Sequence, residues 1–166
     1  MVNLLLFAPT QPGVKDPQGK SVGEAVESCF PDSEDGAQLL WNGVVVHLSY
    51  KYDLSIVIHD VVDLVRHVRT CARGDFDIAW PSNTFHTTWQ VATADGRVRI
   101  TACWYCVRGV AESLNAAPVA EATRADFLAQ WVALLRLANR ALVDTGYTPG
   151  ELADWEPLIT ELAHHE

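Results

Sequence analysis

Basic residues are scarce in this chain. It carries 12 Lys and Arg against 21 Asp and Glu in 166 residues, for a formal net charge of −9. Binding a phosphate backbone needs clustered Lys and Arg, so nucleic acid is not the expected partner. A basic partner suits the balance better, although acidity also serves plain solubility. Long apolar runs are absent as well. Nothing approaches a membrane span, and the run Leu4 to Ala8 is too short for a signal-peptide core and has no basic residue before it. The chain therefore reads as cytoplasmic, with Cys29, Cys71, Cys103 and Cys106 as reduced thiols. It contains neither G-x-S-x-G nor H-E-x-x-H. No repeat, low-complexity tract or linker divides it, so residues 1–166 read as one domain with enough chain for a core.

What is present is hairpin chemistry. Phe85 to Val107 reads as two strands joined at Asp95-Gly96, a two-residue turn that suits the twist of paired strands. Closing the chain there pairs Thr93 with Val98, Val91 with Ile100, Trp89 with Ala102 and Phe85 with Cys106 on one mostly apolar face. His86, Thr88, Gln90, Arg97, Arg99, Thr101, Cys103 and Tyr105 fall on the other. A second hairpin turns at Asn42-Gly43, with Trp41 opposite Val44 and Leu39 opposite Val46. Val2 to Ala8 reads as a buried strand, and Phe76 to Trp80 as a short one.

Three helices follow from apolar spacing and capping residues. Ser21 caps one to about Ser28, with Glu24 at the reciprocal capping-box position. Asp53 caps a second, Leu54 to Cys71, whose Leu54, Ile58, Val61, Val62, Val65 and Val68 form one stripe. Thr123 caps the longest, with Phe127, Trp131, Leu134, Leu135, Ala138 and Leu142 on one side, and Gly146 ends it. Gly109 to Pro118 reads as loop, and Thr148 to Ala163 as a last helix offset near Pro157. The fold expected is α+β: a mainly antiparallel, twisted sheet of about five or six strands with helices packed mostly on one face.

Motifs that invite chemistry have plainer explanations. Cys103-Trp104-Tyr105-Cys106 matches C-x-x-C but lies in a strand, where residues three apart face opposite ways. Cys106 is then core, and Cys103 lies on the wetter face. Gly19-Lys20-Ser21 precedes a helix, but Val14 occupies the glycine position a phosphate loop requires. His59, Asp63 and His67 share a helical stripe that faces away from the apolar side, which surface polarity explains without a metal. No cofactor is expected. Trp41, Trp89, Trp104 and Trp131 fall on core faces, whereas Trp80 and Trp155 do not place themselves, and a partly exposed Trp can anchor an interface.

The Trp-centred hairpin, then a long helix with Phe127-x-x-x-Trp131-x-x-Leu134-Leu135, then Thr145-Gly146-Tyr147, resembles small bacterial immunity proteins of polymorphic-toxin systems over about residues 76–147. The resemblance implies a cytoplasmic inhibitor that binds one cognate toxin, a protein partner, and it carries no catalytic residues across. On this expectation the partner-binding residues are the acidic loop Asp32, Glu34 and Asp35 and the terminal segment Glu151, Asp154, Trp155 and Glu156. Two alternatives stay open. One is a small enzyme or ligand binder with a pocket near His47, His86 and Tyr105. The other is a self-assembling subunit that uses the wetter sheet face.

Overall fold

The computed structural model describes residues 1–107 and 109–166. It is α+β, with seven strands in two antiparallel sheets. Sheet A holds β1 (Val2–Leu6), β2 (Gly36–Trp41) and β3 (Val44–Ser49) in sequence order. Sheet B holds β4 (Gly74–Pro81), β5 (His86–Ala94), β6 (Arg97–Cys106) and β7 (Val119–Thr123), again in order. The single expected sheet is thus divided. β1 lies beside β7 without a ladder between them, and Asn42 Nδ2 spans the gap to the Val119 carbonyl oxygen at 2.8 Å.

Both hairpin turns form where their dipeptides place them. Asn42 and Asp95 take positive φ, as do Gly43 and Gly96, which is the twist-matching turn that favours these residues. The expected pairs Trp41–Val44, Leu39–Val46, Thr93–Val98, Val91–Ile100 and Trp89–Ala102 are all observed. Beyond Thr87, which pairs with Trp104, the ladder slips and His86 meets Cys106 rather than Phe85 doing so. This bulge reverses the alternation. Tyr105 and Cys106 are both exposed, while Phe85 and Val107 turn inward. Cys106 is therefore not a core residue, and Cys103 and Cys106 both turn outward.

Among the described residues are five α-helices: the two longest pack against the sheets, and the first and last pack on those two. α1 (Val22–Cys29) begins in the expected capping box of Ser21 and Glu24. A π-helical turn, Tyr50–Leu54, precedes α2 (Ser55–Thr70), so Asp53 lies inside that turn instead of capping the helix. α3 (Ala111–Ala116) occupies part of the expected loop. α4 (Arg124–Asp144) starts at Thr123, whose side chain accepts from the Asp126 N–H, and Gly146 follows it with φ 92°. α5 (Glu156–Ala163) is shorter than expected, because Thr148 to Trp155 runs irregularly before Pro157 lets a helix begin.

One continuous cluster of buried residues spans both sheets and the helices. Its centre is aromatic. Trp89 lies 5.1 Å from Trp80, 5.7 Å from Trp41 and 5.7 Å from Trp131, ring centre to ring centre, and Trp104 lies 5.1 Å from Trp41. Trp41 Nε1–H donates to the Ala117 carbonyl oxygen at 2.9 Å. Among the described residues the indole N–H groups of Trp80, Trp89 and Trp104 are buried without a hydrogen-bond acceptor.

Candidate functional site

The residues singled out for a ligand pocket do not converge. His86 and Tyr105 stack on the exposed face of sheet B with ring centres 4.8 Å apart. His47 belongs to sheet A, where its Nε2 lies 3.1 Å from the Glu34 carbonyl oxygen. None of the three lines the recess described below.

The acidic residues divide between structural and outward-facing roles. Asp35 is only 4% exposed, its Oδ1 accepts from the Thr10 N–H at 2.9 Å, and its carbonyl oxygen accepts from the Tyr50 N–H at 2.9 Å. It anchors the loop instead of presenting charge. Glu34 is exposed and Asp32 half-buried, with Asp32 Oδ1 accepting from the Glu34 N–H.

In the terminal segment Trp155 is buried, and its Nε1–H donates to Asn139 Oδ1 at 2.8 Å. The irregular stretch before α5 lays Leu152 and Trp155 into the core, so Trp155 is no exposed anchor. Asp154 Oδ1 accepts from the Val22 N–H at the start of α1, where a carboxylate meets the positive end of the helix. Its Oδ2 lies 2.8 Å from His59 Nε2, near enough for a charge pair though not aligned as a hydrogen bond. Lys15, 2.6 Å away, and Thr148 hold the Glu151 carboxyl down at about 2. Glu156 is exposed and accepts from Thr160 Oγ1.

A different set of carboxylates gathers beside α1. Asp16, Gln18, Gly19, Glu24, Glu27, Ser28 and Lys51 line a shallow recess of about 430 Å³. Tyr147 holds its rim: the Asp16 N–H donates to Tyr147 Oη at 2.9 Å, and Ser28 Oγ lies 2.9 Å from the same oxygen. The capping box fixes Glu24, whose carboxyl falls below its usual range because the Lys20 and Ser21 N–H groups donate to it. Lys51 Nζ donates to the Pro31 carbonyl oxygen at 3.2 Å, so one side chain joins the recess to the Asp32–Asp35 loop. The result is an outward surface rich in fixed carboxylates, suited to attracting positive charge.

Glu27 is not among the residues singled out from the sequence, although helical spacing could have found it. It lies off the apolar positions Val22, Ala25, Val26 and Cys29 of α1. Asp16 could not be found that way, because its place depends on contact with Tyr147, 131 residues away.

Among the described residues no group of three or more His, Cys, Asp and Glu side chains is placed to hold a metal ion, and no helix is long and apolar enough to cross a membrane. Comparison of the chain with protein-family models, with curated proteins and with solved structures finds no match.

Proposed function

We propose that this chain is a protein-binding module, most concretely a cytoplasmic immunity-type inhibitor that binds and neutralises a cognate bacterial toxin. One observation carries the reading: Asp16, Glu24 and Glu27 line one recess, and Lys51 on its wall reaches the Pro31 carbonyl beside the Asp32–Glu34 loop, on a chain of net charge −9. Such a surface recognises a basic patch on a protein, and it accelerates encounter as well as fixing orientation. The resemblance of the aromatic hairpin and long helix to immunity proteins supports the same class.

The test is capture of the partner from the native host, followed by binding kinetics. Glu27→Gln, Asp32→Asn and Glu34→Gln combined should slow association roughly tenfold at low salt and leave dissociation nearly unchanged. The difference should shrink as salt rises. Recovery of no protein, with a small metabolite co-purifying in stoichiometric amount, would favour the ligand-binder reading instead.

A further inference from the structure

The two sheets have four outer edges, and three are blunted. The Leu4 N–H on the open side of β1 donates to Gln130 Oε1 from α4. Asn42 Nδ2 occupies the Val119 carbonyl on β7. β4 carries Asp75 and Asp77 and ends at Pro81, which has no N–H to offer. β3, Val-Val-Val-His-Leu-Ser, has no charge, no proline and no bulge.

Its open backbone groups can be named. The Asn42-Gly43 turn makes Trp41 and Val44 a hydrogen-bonded pair, so Val44, Val46 and Leu48 face β2 and Val45, His47 and Ser49 face outward. Ser49 N–H is taken by Asp53 Oδ2 at 2.7 Å. The N–H and C=O groups of Val45 and His47 have no backbone partner among the described residues, and Val45 is 52% exposed.

We propose that β3 is a homodimerisation edge, at which two copies of this chain join antiparallel through Val45 and His47 into one six-stranded sheet. The register is self-complementary. With Val46 on the two-fold axis, Val45 of each copy lies opposite His47 of the other, and both residues turn their free groups toward the join.

Charge selects the occupant. A basic strand from another protein would want a carboxylate along the edge. Yet β3 and the residues beside it on the outer face of sheet A, namely Asn3, Leu5, Gln38 and Leu40, carry none. A second copy of this acidic chain meets no like charge there. The acidic loop lies at the Ser49 end of β3, tied by Ser49 Oγ donating to the Ser33 carbonyl. Antiparallel pairing puts the two Ser49 ends, from which the loops leave, ~20 Å apart. That is more than twice the Debye length of ~8 Å at physiological salt.

Sedimentation equilibrium of the full chain, followed by amide exchange, tests this. A species of twice the 18.3 kDa chain mass should grow with concentration. Val45→Lys should weaken it by roughly tenfold or more. Val143→Lys, at a similarly exposed position on α4, should leave it intact. The Val45 and His47 amides of the unaltered chain should gain protection as the dimer forms, a readout that stands even if Val45→Lys folds poorly. A chain that remains monomeric at millimolar concentration overturns the proposal and leaves the edge to a strand from another protein. A dimer indifferent to Val45→Lys, with both amides unprotected, overturns it in favour of another surface.

Discussion

The two hairpins share one turn chemistry and end in opposite circumstances. β5 and β6 lie in the interior of sheet B, flanked by β4 and β7, and their inner face carries Trp89 and Trp104 into the aromatic centre. β2 and β3 lie at the end of sheet A, with β3 unpaired on one side. The outer faces differ in the same sense. Sheet B shows Arg97 and Arg99 paired with Glu121, whereas sheet A shows Leu5 and Val45 about half exposed. A turn dipeptide specifies a hairpin, but nothing within the hairpin says whether its far edge will be filled.

The sharpest way to test that contrast is to delete one inner side chain from each sheet. Trp89→Ala should destabilise by about 3–5 kcal/mol, because it empties the centre of the ring cluster. Val46→Ala, equally buried in sheet A, should cost about 2 kcal/mol for the methyl groups removed. Thr88→Ala and Val45→Ala, on the outer faces, should each stay within about 0.5 kcal/mol. Denaturant melts of the four proteins decide it, and a Thr88→Ala effect equal to that of Trp89→Ala would mean that the faces of sheet B are misassigned.

A second effect lies where the sheets are tied together. Asp53 is 1% exposed and accepts from the Ser49 N–H at the end of β3, from Thr84 Oγ1 at 2.7 Å and from Ser82 Oγ in the β4–β5 connection. One carboxylate thus joins sheet A to the entry of the central hairpin. Asp53→Ala strands three donors, two of them buried, and should cost about 2–3 kcal/mol. Pairing it with Ser82→Ala should give less than the sum of the two single effects, since both remove one network. Additive costs would show that the sheets are not coupled there.

These residues also mark how far the sequence could be read. Both turns, the alternation of the two hairpins up to the bulge and the caps at Ser21 and Thr123 are local signals, and local signals suffice for them. The run Val2 to Ala8 misled, because β1 ends at Leu6 and Leu5 and Phe7 are about half exposed, so the strand is buried on one face only. β7 was missed because Val-Ala-Glu-Ala-Thr has weak strand propensity, and its pairing with β6 is what makes it a strand. Asp53 reads as a helix cap because Asp before an apolar stripe usually is one. Its actual partners, Ser82 and Thr84, lie about thirty residues on. Trp155 reads as an interface anchor because the sequence puts it on no core face; its burial beside Leu152 depends on how the irregular stretch before α5 folds back onto α4. In the acidic recess Glu24 and Glu27 share α1, but Asp16 joins them only through Tyr147, 131 residues away, which no local signal announces.

The smallest predicted effect bears on the one place where alternation misled. Strict period two puts Cys106 opposite Phe85 and inside, with Cys103 outside. The bulge at Tyr105 adds a residue to β6, so Cys106 faces solvent and its Sγ lies 3.4 Å from the Asn83 carbonyl oxygen. Nothing in C-W-Y-C announces this; Phe85 keeps its inward place against Trp80 and Trp104, at 5.2 and 5.7 Å, while the extra β6 residue lets Trp104 and Val107 both turn inward. Cys106→Ser should therefore change stability by no more than about 0.5 kcal/mol. Brief alkylation of the folded protein, read by peptide mass, should label Cys103 and Cys106 first and half-buried Cys71 more slowly. Cys29 should wait for unfolding, because it is 3% exposed and burial raises its thiol pKa above the usual value. A Cys106 as slow as Cys29 would restore the unbroken ladder and return Phe85 to the end of the central hairpin.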